Sequence, residues 1–231
     1  MSVFAFIFAR GGSKGLVKKN IKSLGGIPLI GHSISLAAQM PVIEKVYVST
    51  DSPDIMAIAR EFSAEVIERP IHLATDTASE WEAWRHAVNH VRATGEQFET
   101  FLSLPATSPL RSIEDVQKCL DAIDDQTDVV ITVTPSARSP YFNMIKRDAA
   151  GFSTIVATQN GTILRRQDAP EVFDITTVAY VSRPDFILKQ TGLFAGRVKS
   201  VIVPKERAID IDDAFDFMIA ETLFKSRNYE R

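Results

Sequence analysis

Val3-Phe4-Ala5-Phe6-Ile7-Phe8-Ala9 runs directly into Arg10-Gly11-Gly12-Ser13-Lys14-Gly15-Leu16-Val17-Lys18-Lys19-Asn20, and this stretch decides the fold class. An unbroken apolar run at Val3–Ala9 reads as a central strand covered on both faces. It stops at a glycine-rich, basic turn. From there the chain alternates short apolar runs with amphipathic stretches, the pattern of βαβ units and a mostly parallel α/β sheet. Helices are expected at Leu29–Met40, from Ser52-Pro53 to Glu61, from a capping box at Ser79-Glu80-Trp81-Glu82 to about Arg92, from Ser112 to about Ile123, and at Asp212–Phe224. Strands are expected at Lys45–Ser49, Glu65–Glu68, Thr100–Leu104, Asp128–Thr134, Thr176–Ser182 and Val198–Val203. The span Pro135–Gln167 reads as irregular, with turns at Gly151 and Asn160-Gly161, and as holding a hairpin.

The chain has 231 residues, of which 45% are hydrophobic and 24% charged, a globular balance with enough length for one sizeable core. A net charge of −3 gives no bulk electrostatic case for nucleic acid or membrane as a partner. The lone cysteine, Cys119, excludes an intrachain disulfide and reads as a small buried hydrophobe in a reducing compartment. With no basic leader and no apolar run near the ~20 residues of a membrane span, the expectation is a soluble, cytoplasmic protein.

In parallel α/β sheets ligands sit beyond the carboxyl ends of the strands, so the turn after the first strand carries most weight. Arg10, Lys14, Lys18 and Lys19 place four cations there, and Gly11, Gly12 and Gly15 permit positive φ and close backbone approach to an anion. That combination suits a polyphosphate: donors for its oxygens, and cations for charge building on a leaving pyrophosphate. It is not a Walker loop, because Lys14 is followed by Gly15, and the glycine spacing does not fit the dinucleotide fingerprint. The blander alternative is a solvated loop with lysines for solubility. Near the C-terminus, Ile209-Asp210-Ile211-Asp212 puts two carboxylates at i and i+2, on one face of an extended segment, a pair suited to Mg²⁺. Asp213 and Asp216 read as first-turn helix residues, and the alternative for Asp212 is that it caps the last helix.

Arg10-Gly11-Gly12-Ser13-Lys14-Gly15 with Lys19-Asn20 resembles the signature of the acylneuraminate (CMP-sialic acid synthetase-like) cytidylyltransferase family. The resemblance continues in order through Ser49-Thr50-Asp51, Arg69-Pro70, Leu73-Ala74, Asp76-Thr77-Ala78-Ser79, Thr107-Ser108-Pro109-Leu110-Arg111, Arg166-Gln167 and Ile209-Asp210-Ile211-Asp212. It implies a three-layer sheet of nucleotide-diphospho-sugar transferase (Rossmann-like) type, one domain over 1–231 with an excursion at about 135–175 used in dimerisation and sugar binding. It implies a homodimer that transfers CMP from CTP to the anomeric hydroxyl of an acidic 2-keto sugar, releasing pyrophosphate with Mg²⁺ as cofactor. It assigns Lys19, Arg10 and Lys14 to catalysis on the phosphates. Ala9, Gly11, Gly12, Ser13, Asn20, Arg69, Ala78 and Ser79 join these three around the nucleotide. Arg166 and Gln167 go to the sugar, and Asp210 and Asp212 to the metal. The residues name no base for the attacking hydroxyl; Asp212 and an oxygen on the metal are the candidates.

The departures from the family pattern lie at positions that the resemblance places toward the sugar and ribose. Pro105-Ala106 stands where Gln-Pro is usual, Glu80 where serine is common, Thr176-Thr177-Val178 where the family has an Asn-Gly-Ala stretch, and Asp174 where an arginine is sometimes found. A legionaminic or pseudaminic type of sugar, or an eight-carbon Kdo type, therefore stands beside sialic acid as the substrate. Rival readings are a Kdo-type or other sugar nucleotidyltransferase and a non-catalytic nucleotide sensor. His86 and His90, at i and i+4 without a third ligand, read as half-exposed helix residues. Trp81 and Trp84, with Val88 and Val91, read as a packing or dimer face.

Overall fold

The computed structural model describes residues 2–13, 15–158, 163 and 165–229. In chain order the elements are β1 (Val3–Phe8), β2 (Ser23–Leu24), β3 (Ile27–Pro28), α1 (Leu29–Ala38), β4 (Ile43–Thr50), α2 (Pro53–Glu61), β5 (Glu65–Glu68), α3 (Glu80–Ala93), β6 (Thr100–Ser103), α4 (Ile113–Ala122) and β7 (Val129–Pro135). They continue with β8 (Ile145–Arg147), β9 (Ser153–Ile155), β10 (Phe173–Ser182), α5 (Pro184–Lys189), β11 (Val198–Ile202) and α6 (Ala214–Tyr229). Seven strands form the main sheet in the order β11-β7-β10-β6-β1-β4-β5. All neighbours are parallel except β10, which runs antiparallel to both β6 and β7. The α/β reading with a mostly parallel sheet therefore holds.

The alternation of β1 explains the layers. Val3, Ala5 and Ile7 face one side, where α1, α2 and α4 contribute Ile34, Ala59 and Cys119. Phe4 and Phe6 face the other, where α3 contributes Trp81, Trp84, Ala87 and Val88. The indoles are core residues: Trp84 meets Phe101 at 5.1 Å and Tyr180 at 5.6 Å between ring centroids. Each such large side chain, fully buried, stabilises the fold by roughly 1.5–3 kcal/mol. Cys119 is fully buried, and desolvation pushes its thiol up to about 12, so it behaves as an apolar residue.

One local expectation needs correction. Ser79 does sit at the N-cap of α3, but its side chain makes no capping bond, and the N3 carboxylate of the expected box, Glu82, accepts from Arg85 Nη1 at 2.7 Å instead. A true capping box forms instead at α4, between Ser112 and Asp115. The excursion holds a hairpin of β8 and β9 whose turn contains Gly151 at φ +94°, a value that favours glycine. Asn160-Gly161 lies outside the described residues.

Chain order fixes where a ligand can sit. From β1 the sheet grows one way through β4 and β5, then the chain returns to place β6 on the other side of β1. The order reverses between β1 and β6, and the crevice outside their carboxyl ends is the expected binding position.

Candidate active site

A cleft of about 590 Å³ opens at that position. The segment after β1 supplies Arg10, Ser13, Gly15, Lys19 and Asn20, and Phe8 ends the strand beneath them. Arg69 enters from beyond β5, Asp76, Ala78, Ser79 and Glu80 from the start of α3, and Pro105, Ala106 and Thr107 from beyond β6. Thr177 and Tyr180 of β10, with Asp210 and Asp212, complete the wall.

The turn is built by specific bonds. Asn20, buried, donates from Nδ2 to the Arg10 carbonyl at 3.0 Å and closes the loop on itself. The Gly11 amide donates to Asp51 Oδ1 at 2.9 Å, which gives the Ser49-Thr50-Asp51 motif its structural reason. None of Gly11, Gly12 and Gly15 takes the left-handed backbone; Lys18 does, at φ 52°. The expectation of positive φ at these glycines is therefore corrected, and close approach is what requires Gly15. A Cβ there would stand 2.4 Å from the Asp212 backbone oxygen. A Gly15→Ala substitution must push the turn off the Asp212 segment. We expect turnover to fall more than about tenfold and stability by about 1–3 kcal/mol, read by steady-state rates and denaturant titration.

The cations do not act as one group. Arg10 meets Asp76 at 2.6 Å and Lys19 meets Asp212 at 2.8 Å, both inside the cleft. Lys18 turns away to Asp54 at 3.0 Å, in the first turn of α2. Lys14 lies outside the described residues. Arg69 donates to Ser49 Oγ at 3.1 Å and to the Ser49 carbonyl at 2.7 Å, with its guanidinium 5.5 Å from the Phe8 ring centroid. Burial lowers its pKa, opposed by Asp51 and Glu80.

The carboxylate segment is held from both sides. Arg207 grips buried Asp115 of α4 with two bonds of 2.8 Å. The Ile211 amide donates to the Thr107 carbonyl at 2.9 Å, and the Ile211 side chain is fully buried among Leu24, Leu29 and Leu110. Alternation then leaves Asp210 and Asp212 facing the cleft. Asp213, not Asp212, caps α6: its Oδ1 accepts from the amides of Phe215 and Asp216, while Asp216 accepts from the amides of Asp212 and Asp213. The Asp212 carboxylate is therefore free of capping and meets Lys19. Asp210 Oδ1 is buried without a hydrogen-bond partner among the described residues. Desolvation raises the Asp210 carboxyl above the usual range, with Asp212 adding to the rise and Thr107, Thr177 and Lys19 opposing it.

Arg111 is the strut behind this wall. Its guanidinium, buried, donates to the Val178 carbonyl, to Ser33 Oγ and to the Pro105 carbonyl. It ties the end of β6 to β10, so that Ser108 and Thr177 meet hydroxyl to hydroxyl at 2.6 Å.

Of the residues singled out in the sequence, Arg10, Ser13, Lys19, Asn20, Arg69, Ala78, Ser79, Asp210 and Asp212 come together here. Ala9 is fully buried behind the turn, and Gly11 faces a small neighbouring recess. Gly12 has open space around it. Arg166 and Gln167 sit on an exposed 3-10 turn and do not line the cleft; Arg166 Nη2 reaches the Ser136 carbonyl at 3.5 Å. Sequence reasoning gave no role to Phe8, Asp76, Glu80, Thr107, Thr177 or Tyr180. Glu80 and Thr177 stood out only as departures from the family pattern. Phe8 and Tyr180 carry no local signal, since a cleft-facing aromatic at a strand end reads like a core residue. Among the described residues no cluster of three or more His, Cys, Asp or Glu is arranged to hold a metal, and no helix is long and apolar enough to cross a membrane.

Comparison with known proteins accords with this geometry. A family model described as cytidylyltransferase matches residues 4–224. Post-translational flagellin modification protein B of Campylobacter coli is 33% identical over 99% of this chain and 97% of its own length. The CMP-N,N'-diacetyllegionaminic acid synthase of Campylobacter jejuni is 31% identical, covering 98% of this chain and 96% of that protein. In fold, a CMP:2-keto-3-deoxy-manno-octonic acid synthetase complexed with CTP superposes with a TM-score of 0.70 at 16% identity, over 98% of this chain and 100% of that one. With the family matched over nearly its whole length and the cleft at the sheet's reversal point, the chain belongs to the cytidylyltransferase family and is a nucleotidyltransferase.

Proposed function

We propose that this enzyme joins CMP from CTP to the anomeric hydroxyl of an acidic 2-keto sugar of the nonulosonic type. The hydroxyl oxygen forms a bond to the α-phosphorus as its proton passes to a base, for which Asp212 in the cleft is a candidate, the bond from that phosphorus to the bridging oxygen breaks, and pyrophosphate leaves. The observation that carries the reading is the facing of Lys19 and Arg10 on the turn against Asp210 and Asp212, across one cleft with Arg69 in its wall. Cations on the turn suit the triphosphate, and their positions suit neutralising charge on the departing pyrophosphate. Ser13 and the exposed Gly12 backbone add donors, and Ala78 and Ser79 suit the nucleoside. Lys14 belongs to the same turn in this reading. Ala9 supports the turn from below.

Mg²⁺ is part of the reading. Asp210 Oδ1, buried and without a hydrogen-bond partner among the described residues, and the neighbouring Asp212 form a hard oxygen donor pair. Two carboxylates without a full protein cage fit a cation that keeps water and phosphate oxygens as its other ligands. Bound there, it would neutralise phosphate charge and help orient the triphosphate. A nonulosonic acid is favoured over a Kdo-type acceptor because a relative covering nearly this whole chain at 31% identity is a legionaminic acid derivative's synthase. Arg166 and Gln167 enter this reading as sugar contacts that the excursion carries to the neighbouring subunit's site in a homodimer. A homodimer formed through the excursion is supported by exposed Met144, Ile145, Phe152 and Ile155 on its hairpin. A cytoplasmic setting follows from the use of CTP.

The test is pyrophosphate release across a panel of sialic, legionaminic, pseudaminic and Kdo-type sugars with each of CTP, UTP and ATP. Release is expected with CTP and a nonulosonic acid, and it should stop when EDTA removes the divalent cation. Release with UTP or ATP but not CTP overturns the reading.

A further inference from the structure

Four carboxylates line the cleft: Asp76, Glu80, Asp210 and Asp212. Asp76 is paired with Arg10, Asp212 with Lys19, and Asp210 belongs to the proposed cation pair. Glu80 stands apart. It opens α3, is accessible from the cleft, and makes no ion pair among the described residues. Oε1 accepts a single hydrogen bond, from Trp84 Nε1 at 3.3 Å, and Oε2 has no protein donor among the described residues. Trp84 is itself locked in the aromatic core against Phe101 and Tyr180, so the carboxylate is held at a fixed place.

The surroundings restrict what Oε2 can meet. Glu80 is exposed to the cleft, yet the walls around its carboxyl desolvate it enough to raise it above the usual range, and Asp210 acts on it in the same direction. Trp84 and Arg69 oppose the rise. Glu80 and Asp210 also both bear on Tyr180, which forms the cleft wall beside them. Glu80 is thus within electrostatic reach of the carboxylate assigned to the reaction centre. A phosphate chain would be repelled at this position. What suits an open carboxylate oxygen there is a neutral hydrogen-bond donor.

Resting on the reading of the reaction above, we propose that Glu80 is a specificity-determining residue for the acceptor: Oε2 takes a hydrogen bond from a hydroxyl or amide N–H of the sugar and fixes which face of it meets the α-phosphate. A pocket built to bind such a donor discriminates strongly against analogues that lack it, because its own polar group is then left unpaired. The triphosphate makes no use of Glu80.

The experiment compares the parent enzyme with Glu80→Gln and Glu80→Ser. Glutamine keeps an oxygen for Trp84 Nε1; serine removes the carboxyl altogether. Thermal melting checks folding, calorimetry with CTP in the absence of sugar reads nucleotide affinity, and pyrophosphate release reads KM and kcat for the acceptor. The expected result is a CTP affinity within about twofold of the parent in both variants and an acceptor KM raised about tenfold or more in Glu80→Ser, with a smaller rise in Glu80→Gln. Acceptor KM unchanged in both variants overturns the inference while leaving the reaction intact. CTP affinity falling in step with acceptor KM also overturns it, by assigning Glu80 to the ribose. If the parent itself releases no pyrophosphate with any sugar of the panel, the reading of the reaction fails and the inference falls with it.

Discussion

Replacing Lys19 with methionine is expected to lower kcat/KM for CTP by about 10³-fold, with no fall in melting temperature. The Lys19 side chain is only 15% exposed, yet its Nζ lies in the cleft, 2.8 Å from Asp212 Oδ1. Two losses combine in the variant. The triphosphate loses a cation placed where charge builds as pyrophosphate departs, and Asp212 loses its neutralising partner. The first loss grows as the bond breaks, so kcat should fall more than CTP affinity. Stability should hold because Asp212 is 75% exposed, and solvated ion pairs contribute about 0–1 kcal/mol. Methionine keeps an aliphatic stem of similar length without the charge. Steady-state kinetics beside thermal melting checks the pair of outcomes. Full activity in Lys19→Met would reduce Lys19 to a latch for the Asp212 segment. Lys19→Arg, which keeps the charge but not the compact ammonium, should recover part of the lost rate.

Lys19 and Asp212 are 193 positions apart in sequence, and the way each could be read locally shows what the chain reveals. β1 was legible because burial on both faces leaves an unbroken apolar run, and the turn after it because four cations in one loop are costly without an anion. Asp210 and Asp212 were legible because burying Ile211 in an extended segment forces its neighbours outward together. The pairing of the two sites was not legible from spacing. It depends on the strand order, on the bidentate Arg207 grip on Asp115, and on the backbone bond from Ile211 to Thr107. The helix at Ser79 was placed correctly for a wrong reason. A Ser-x-x-Glu pattern permits a capping box, but Glu82 is drawn to Arg85 and Ser79 stays open to the cleft. The β8–β9 hairpin was expected from turn residues alone, while its exact strands, three residues each, lie below what periodicity can resolve. Lys18 was grouped with the phosphate-facing cations on proximity. The left-handed backbone at that residue rotates it away toward Asp54, a fact no local count of charges contains.

Asp210→Asn should abolish divalent-cation activation and lower turnover by about 10³-fold, a loss typical of removing one electrostatic element from such a site. Asparagine matches aspartate in shape, so the Ile211 anchor and the Thr107 bond should persist, and only the charge and one donor oxygen change. Folding keeps Asp210 Oδ1 buried with no hydrogen-bond partner among the described residues, and desolvation raises its carboxyl. A buried carboxylate oxygen left unsatisfied costs stability unless something binds it. The substituted protein should therefore melt at or above the parent temperature while losing function, the signature of a group retained for chemistry. Activity alone would not separate a ligand from a strut. Mn²⁺, followed by its electron paramagnetic resonance signal in the presence of CTP, supplies the second readout, and its affinity should drop more than about tenfold in the variant. CTP binding without divalent cation should stay near the parent value. Unchanged Mn²⁺ affinity would remove Asp210 from the proposed pair. A lowered melting temperature would instead make it a structural residue beside Thr107 and Thr177.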